Sequence, residues 1–517
     1  MNQPVRRIII VGGGSAGWLS AGLIAAEHET KNSNSIEVVL IESANIPTVG
    51  VGEGTWPSMR ASLKKMGISE TQFLTECDAS FKQGSKFSNW LHGGGDSYYH
   101  PFTPPVGFFE TNIAQHWYPH RDKVSFADAV TCQGQLCDNN LAPKQIATPE
   151  YAFHANYGYH LDAAKFSKLL QQHCTQELGV KHILDDVTDI NSCPHSNDIA
   201  SVSTLEHGDI QGDLFIDCTG SKSLLLGGYY GVEFIDQSSV LFNDSALAVH
   251  VSYQTPDAEI ASHTLSTAQT SGWIWDIGLP SRRGVGHVYA SDYISDEQAE
   301  QQLRDYIRAD IGDQANTLDI RKISIKPGHR KTFWHQNCVA VGMSAGFIEP
   351  LEASALALIE QSAKMIAEQL PANRQIMDIT AKRFNQRFSH HWQRIIEFLK
   401  LHYVLSKRSE PYWQDNRAQH SIPEPLQELL TLWQYQTPFT FDSSRTEELF
   451  PAASFQYVLY GMGFDTDLSW LQKRHVPMQS VQQYFNENNK KTQHLLRTLP
   501  TNRELLNKIR QFGLSKV

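Results

Sequence analysis

Two lysines stand where an amine could be withdrawn from water and used for chemistry. Lys82 and Lys86 both lie in the run from Phe81 to Trp90, among apolar and aromatic residues. Such lysines usually lie at the surface with their stems against apolar atoms. A buried lysine instead has a lowered pKa and can serve as a reactive amine. The spacing alone leaves both interpretations open.

A carboxylate stands at the predicted start of a helix. The pattern from Ser354 to Leu370 is helical, Pro371 ends it, and Glu352 comes just before it. Free amides at a helix start, here those of Ser354 and Ala355, favour a bound anion. A glutamate at such a place often only stabilises the helix dipole, so a structural role and a chemical role both stay open.

A glycine turn near the N-terminus predicts a dinucleotide site. Gly12, Gly14 and Gly17 fit G-x-G-x-x-G between a β-branched strand at 8–11 and a helix at 18–26. Glycines let the chain turn sharply and let its backbone approach a pyrophosphate at the positive end of the helix.

The next predicted strand strengthens this interpretation. It covers Ile36 to Ile41 and ends in Glu42, about 25 residues beyond the last glycine, where a carboxylate can accept bonds from ribose hydroxyls. The uncharged run after Arg6-Arg7 could pass for a signal peptide. Three adjacent glycines within it argue against that alternative, which would also leave Glu42 without a role.

The same glycine turn also fits a hydrolase pattern. Gly13 to Gly17 reads G-x-S-x-G around Ser15, and the pattern recurs at Gly342 to Gly346 around Ser344. This is the sequence of a nucleophile elbow. A serine hydrolase is therefore a second hypothesis.

The elements that would position these groups indicate an α/β fold. Strands are predicted at 182–187, at 214–217 before the Asp217-Cys218-Thr219-Gly220 turn, and at 337–342. A helix is predicted at 163–178 and a long one at 376–405. The glycine-rich span 49–57 predicts a bare loop that could lie against a flat ligand, followed by a helix to Met66.

Aromatic residues mark two further regions. Trp273 and Trp275 alternate on a predicted strand and so share one face, with 282–291 as its hairpin partner. The segment 93–119 is rich in Gly, Pro, Tyr, Phe and His and predicts an aromatic-walled loop lining a substrate pocket, with a role in the core equally compatible.

Composition excludes several classes. The 517 residues carry a net charge of −11, which disfavours a nucleic-acid partner. No uncharged apolar run outside the N-terminus could span a bilayer. Seven cysteines make no disulfide framework and no metal site is predicted. A reducing cytoplasm is the expected location.

Taken together, these stretches resemble the flavin-dependent tryptophan halogenase family. The matching motifs are Gly12 to Gly17, Val51-Gly52-Glu53-Gly54-Thr55, Phe81-Lys82, Asp217 to Gly220, Trp273-x-Trp275 and Glu349-Pro350-Leu351-Glu352. They are collinear over nearly the whole chain. The resemblance implies a Rossmann-type, FAD-binding, flavin monooxygenase-like domain at 1–371, with a substrate-lining insertion at about 88–150. A mainly helical substrate region follows at 372–517.

The resemblance also implies a site. Its catalytic residues would be Lys82 and Glu352, with halide at Ser354 and Ala355 and an aromatic substrate along His100, Phe102, Trp273 and Trp275. The FAD-binding residues would be Gly12, Gly14, Ser15, Ala16, Gly17, Glu42, Gly52, Val187, Asp217 and Gly342.

Reduced FAD from a separate reductase would use oxygen to oxidise chloride or bromide to hypohalous acid. That acid would travel to Lys82, which would hydrogen-bond it or form a haloamine, and Glu352 would take up the ring proton. The two groups would have to converge in one closed chamber, since free hypohalous acid oxidises whatever it meets. The lysine is expected to act as a hydrogen-bond donor. The oligomeric state stays open, with a homodimer as one option.

Several positions depart from the family pattern. The family motif commonly reads Trp-x-Trp-x-Ile-Pro, whereas Gly278 and Leu279 stand before Pro280 here. The halide loop reads Glu352-Ala353-Ser354-Ala355 where the family commonly has Glu-Ser-Thr-Gly. Amides can still hold a halide without those side chains. Tryptophan, an indole or another electron-rich arene remain open as substrates. A hydroxylating flavin monooxygenase and an inactive flavin-binding relative are the further alternatives.

Overall fold

The computed structural model describes residues 4–32, 36–46, 52–442, 448–469 and 478–516. Two compact units interleave along the chain. The first comprises Met1–Ala79, Leu161–Gln237 and Lys326–Trp392, and the second comprises Ser80–His160, Ser238–Ile325 and Gln393–Val517. The linear division at 371/372 stays a prediction.

The α-helices of the described residues are these: α1 (Ser15–Glu27), α2 (Met59–Met66), α3 (Glu70–Glu76), α4 (Ile113–Trp117), α5 (Phe126–Val130), α6 (Gln133–Asp138), α7 (Ala163–Gln176), α8 (Asp296–Ile311), α9 (Ser354–Glu368), α10 (Arg374–Val404), α11 (Pro411–Asn416), α12 (Glu424–Trp433), α13 (Ala452–Gly461), α14 (Met478–Thr498) and α15 (Asn502–Phe512). In that part of the chain, none of them combines the length and apolarity that a bilayer crossing needs.

The strands are β1 (Arg7–Val11), β2 (Glu37–Glu42), β3 (Gly52–Gly54), β4 (Ser80–Lys82), β5 (Gly84–Ser88), β6 (Ser97–Pro101), β7 (Gly158–Asp162), β8 (Lys181–Leu184), β9 (Val187–Ser192), β10 (Ile199–Thr204), β11 (Gly208–Gln211), β12 (Leu214–Asp217), β13 (Phe234–Asp236), β14 (Ser245–Ser252), β15 (Thr264–Gln269), β16 (Gly272–Gly278), β17 (Arg282–Tyr289), β18 (Arg321–Ser324), β19 (Gly328–Arg330), β20 (Trp334–His335), β21 (Cys338–Ala340) and β22 (Gly346–Phe347).

The first unit is built on a largely parallel six-stranded sheet. Its order is β20-β21-β12-β1-β2-β8, and β1 lies between β2 and β12. The residues Ile8 to Val11 are buried, as a continuous β-branched run predicts for a central parallel strand. Helices α7 and α9 pack against α1. The predicted α/β class with a Rossmann-type core is confirmed.

The second unit contains a seven-stranded sheet of order β18-β14-β17-β16-β15-β5-β6. Most neighbours are antiparallel, including the predicted hairpin of β16 and β17, while β15 and β5 run parallel. The short strand β4 pairs with β7, so that Lys82 lies opposite Gly158. These pairings fix the backbone around the predicted catalytic lysine.

Two expectations need correction. The span 52–54, predicted to be irregular, forms the short strand β3, because glycine adopts extended backbone as readily as turn conformations. The segment 93–119, predicted as a loop, contains β6 and α4, and Tyr99, Trp117 and Tyr118 belong to a buried cluster. Val51, which begins the motif that ends at Thr55, and the rest of the predicted loop before it lie outside the described residues.

Candidate active site

The glycine turn lies at the carboxyl edge of the parallel sheet. Val11, the last residue of β1, pairs with Ile41 and with Asp217, so the turn, Glu42 and Asp217 meet at this edge. Gly12 has φ +114°, a value that favours glycine. A Cβ on Gly17 would come within 1.9 Å of the carbonyl oxygen of Gly12. The strand-turn-helix geometry that a pyrophosphate needs is therefore present.

Space lies open over the first turn of α1. Gly14 is its N-cap, and a Cβ there would meet nothing within 4 Å in the described part of the chain. The first turn carries no acidic side chain that would compete for its amides. The hydroxyl of Ser15 lies 3.0 Å from that of Ser167. The amides of Ser15, Ala16 and Gly17 thus fit a phosphate-binding helix start.

Glu42 stands beside this turn. A Cβ on Gly13 would lie 2.1 Å from the Glu42 carboxyl carbon, and the carboxylate pairs with His182 at 3.1 Å. Its position at the end of β2 suits a ribose. Val187 begins β9 and pairs with Thr204, in a separate three-stranded sheet of the same unit.

The carboxylate of Asp217 is occupied by the chain itself. It is fully buried and accepts hydrogen bonds from six donors, which are the amides of Thr219, Leu225 and Leu226 and the hydroxyls of Thr219, Ser223 and Ser344. Gly342, at φ +71°, is so close to Ala16 that a Cβ would lie 2.8 Å from the alanine methyl. Asp217 therefore shapes the turns around the predicted cofactor site.

Two glycine substitutions should separate fold from cofactor binding. Gly17→Ala pushes a Cβ into backbone and should cost about 1–3 kcal/mol of the free energy of unfolding. Gly14→Ala meets open space, so its stability should change by less than about 0.5 kcal/mol. Its methyl would stand where a pyrophosphate is expected and should weaken FAD binding roughly tenfold. Denaturant unfolding and flavin titration measure the two effects, and equal FAD affinity of Gly14→Ala and wild type would contradict the assignment.

Glu352 occupies a strained turn before α9. It is 6% exposed, with φ 64° and ψ 5°, and Ala353 follows at φ 55°. Left-handed backbone costs a residue with a Cβ roughly 1–2 kcal/mol. The indole N–H of Trp56 donates to the Glu352 carbonyl oxygen at 2.8 Å. The turn places a buried carboxylate directly before the helix start.

Ser354 and Ala355 form the first turn of α9. Ala353 is the N-cap, no side chain caps the helix within the described residues, and the first turn carries no acidic group. Amides at such a helix start can hold a halide, because they need no particular side chain.

The structure distinguishes the two candidate lysines. Lys82 is 1% exposed, and its Nζ lies 5.4 Å from the centre of the Phe102 ring. Lys86 keeps 25% of its side chain exposed and pairs with Asp138 at 2.7 Å. The surface interpretation is therefore wrong for Lys82, whose burial within a strand is set by tertiary packing that local spacing does not reveal.

A neutral imidazole accompanies the buried amine. His160 pairs across β4 and β7 with Ser80, and its Nε2 lies 2.9 Å from the Thr264 hydroxyl. Burial, and then the positive charge of Lys82, hold the pKa of His160 well below its usual value. Gln83, the next residue, is also buried and donates to the Leu141 carbonyl at 2.7 Å. His160 thus places a neutral polar group near the buried amine.

Aromatic rings line the region beyond Phe102. His100 is buried, and its ring lies 5.5 Å from Phe398, 6.3 Å from Phe450 and 6.1 Å from Tyr457. The amide of Phe102 donates to the Gln83 carbonyl at 3.0 Å, which fixes the chain between the rings and Lys82. Flat aromatic walls of this kind suit a planar ligand.

Trp273 and Trp275 lie on one face of β16, as the alternation predicts. Their ring centres are 6.4 Å apart. Trp273 is buried near Trp90, whereas Trp275 is half-buried and lies over Gly286, where a Cβ would come within 2.1 Å of its ring. Glycine at 286 thus makes room for the second indole.

Known proteins share this architecture throughout. The profile of the tryptophan halogenase family matches residues 7–476. The chain belongs to the tryptophan halogenase family. A tryptophan halogenase structure from Shewanella frigidimarina NCIMB 400 is 54% identical, with TM-score 0.97, over 100% of this chain and 99% of that one.

Two further relatives agree. Tar14, a tryptophan C-6 flavin-dependent halogenase (chlorinase) from taromycin biosynthesis, is 32% identical, with TM-score 0.89, over 98% of this chain and 100% of that one. The 7-chloro-L-tryptophan 6-halogenase KtzR of Kutzneria sp. (strain 744) is 33% identical, covering 88% and 90% of the two chains. The halogenase is thus an oxidoreductase of a flavin-dependent, halide-using family that acts on aromatic substrates.

The hydrolase hypothesis finds no support in this halogenase. Ser15 bonds only to Ser167, and buried Ser344 donates to Asp217 and to the Gly220 carbonyl, among the described residues. Neither hydroxyl has a histidine partner there, which a nucleophilic serine requires.

Some residues of the candidate site could not be identified from the sequence. Trp56 directly follows the Val51 to Thr55 motif, yet only the structure shows its hydrogen bond to the Glu352 carbonyl oxygen. His160 and Phe398 carry no local signal, because partners far along the chain bring them to the site region. In the short strand β3, burial raises the pKa of Glu53 to about 7.

Proposed function

We propose that this chain is an FADH2-dependent halogenase in which Lys82 delivers hypohalous acid to an electron-rich arene and Glu352 assists the substitution. The observation that carries the proposal is the burial of Lys82 at 1% exposure, against an aromatic ring and beside a neutral histidine. Lys82 also belongs to the Phe81-Lys82 motif, which lies within the residues 7–476 that match the family profile.

The cofactor would lie on the first unit. The amides of Ser15 to Gly17 would hold the pyrophosphate, Glu42 the ribose, and Gly12, Gly14, Gly52 and Gly342 would permit close backbone approach. Asp217 would act through the turns that it holds, and Val187 would contribute from β9. When bound, reduced FAD would supply two electrons that reduce oxygen to the peroxide level, and this oxidant would in turn remove two electrons from the halide to give hypohalous acid. A separate reductase would deliver it.

The chain's own groups would control the oxidant. The amides of Ser354 and Ala355 would hold chloride or bromide at the start of α9. The ammonium group of Lys82 would donate a hydrogen bond to the oxygen of hypohalous acid and so make its halogen more electrophilic. As the oxygen–halogen bond breaks, the same group would pass a proton to that oxygen, which leaves as water. Trp273 and Trp275 would shield the passage, and His100 and Phe102 would hold the arene by stacking.

Glu352 would act on the arene once the new carbon–halogen bond forms. The ring then carries positive charge, which a carboxylate stabilises electrostatically. The carboxylate would accept the proton that leaves the substituted carbon, which restores aromaticity. The substrate would be tryptophan, an indole or a related electron-rich arene, and a homodimer remains a prediction.

Product formation should depend on halide. With FAD, a nicotinamide-driven flavin reductase, oxygen and a panel of indoles, we expect a halogenated product only when bromide or chloride is present. The chain alone should not reduce FAD with a nicotinamide. Mass spectrometry of the products measures this. Oxygenated product without halide would instead establish a monooxygenase, and bound flavin with no product across the panel would establish an inactive relative.

A further inference from the structure

The turn that carries Glu352 pairs two left-handed residues. Glu352 (φ 64°) and Ala353 (φ 55°) are consecutive, and neither is Gly, Asn or Asp, the types that adopt this backbone most readily. No other two neighbouring residues with side chains share positive φ in the part of the chain that the structure describes. Such strain persists only where surrounding contacts determine the conformation.

Trp56 donates a hydrogen bond to this turn. Its Nε1 donates to the Glu352 carbonyl oxygen at 2.8 Å. This carbonyl precedes the N-cap Ala353 and so lies outside the hydrogen-bond ladder of α9. The amide of Ala353 donates to the Pro350 carbonyl at 2.9 Å, which closes the turn from its other side.

The chain segment that follows Trp56 is anchored to α9. Trp56 precedes α2, and its carbonyl accepts from the Met59 amide at 3.1 Å. Two hydroxyls of this helix segment, those of Ser58 and Ser62, donate to the buried carboxyl group of Glu360 at 3.0 and 2.5 Å. Glu360 lies on α9, two turns beyond Glu352. The segment 56–62 is thus bonded both to the Glu352 turn and to α9, which fixes the indole N–H relative to the turn.

We propose that Trp56 is a positioning residue that holds the left-handed turn at Glu352 and Ala353 through its indole N–H. It thereby sets the direction of the Glu352 carboxylate and of the Ser354 and Ala355 amides. The inference rests on the proposed function of Glu352 and adds to it a residue that acts through the backbone of the turn.

The test is Trp56→Phe, which keeps an aromatic ring and removes the donor. Hydrogen exchange of the Ala353 amide and of the first α9 amides, measured on the flavin-free chain, should accelerate about tenfold or more. The kcat for halogenation should fall by a similar factor while FAD affinity stays within about twofold. Trp334→Phe is the matched control, since that indole donates to the Gln336 carbonyl oxygen at 3.2 Å and is not bonded to the Glu352 carbonyl. It should change neither quantity.

A second substitution separates the turn from simple packing. Glycine adopts left-handed backbone without the Cβ penalty, so Trp56→Phe combined with Ala353→Gly should recover much of the lost protection and kcat. Lost packing of an indole would not be restored by glycine at 353. Wild-type exchange and wild-type kcat in Trp56→Phe, or no recovery in the double variant, would overturn the proposal. A wild-type chain without halide-dependent product overturns the proposed function separately, and the exchange data still decide whether the indole holds the turn.

Discussion

Replacing Lys82 by alanine should abolish product while leaving the flavin site intact. The amine is buried, and its Nζ lies 5.4 Å from the Phe102 ring centre. The strand β4 contains no other cationic residue that could take its place. Removal of a group that transfers or polarises the reacting species typically costs roughly 10²–10⁴-fold in rate. We expect a loss of that size in kcat, measured as halogenated indole per minute.

Lys86→Ala is the control for this result. Lys86 lies four residues further along the same segment, is partly exposed and pairs with Asp138. Exposed ion pairs contribute at most about 1 kcal/mol to stability, so this variant should fold and halogenate like the wild type. Both variants should bind FAD equally, because the glycine turn lies in the other unit. Retained halogenation by Lys82→Ala would remove the lysine from its proposed role.

Replacing Glu352 by glutamine should have the second largest effect. Glutamine keeps the size of the side chain but removes the charge that stabilises the ring cation and the base that accepts its proton. Loss of one electrostatic group in an active site typically lowers kcat by roughly 10²–10³-fold. The same halogenation assay, run at saturating halide and arene, measures it.

The control for Glu352 lies at the other end of α9. Glu368 is 44% exposed and lies 3.9 Å from both Lys65 and Lys364, so Glu368→Gln should halogenate normally. Glu352→Gln with wild-type kcat would show that the carboxylate only serves the helix start, which is the structural role that the sequence leaves open.

The cofactor side of the fold could be predicted from local patterns. A β-branched run, glycines at fixed spacing and an acidic strand end each reflect short-range constraints, and the structure places Gly12, Gly17 and Glu42 at one sheet edge accordingly. The role of Asp217 could not be foreseen. Its six donors come from turns whose conformations depend on one another, so sequence shows the acid without its partners.

The substrate side depended on tertiary contacts. Spacing favoured a surface position for Lys82, whereas in the structure β4 pairs with β7 and the lysine is buried. His100 contacts Phe398 and Phe450, which lie about 300 and 350 residues further along the chain. The strain at Glu352 has no sequence signal either, because neither residue of the turn is a type that favours it. The convergence of Lys82 and Glu352, which belong to different compact units, stays a prediction.

The most direct test follows the oxidant in Lys82→Ala. Hypohalous acid can be trapped by a halogen-accepting dione while oxygen consumption and indole halogenation are measured in the same reaction. The account predicts that Lys82→Ala still consumes oxygen and still yields halogenated trap in a halide-dependent manner, but forms no halogenated indole. Normal indole halogenation by this variant, or loss of the oxidant together with the product, would contradict the claim that this lysine transfers halogen made elsewhere in the protein.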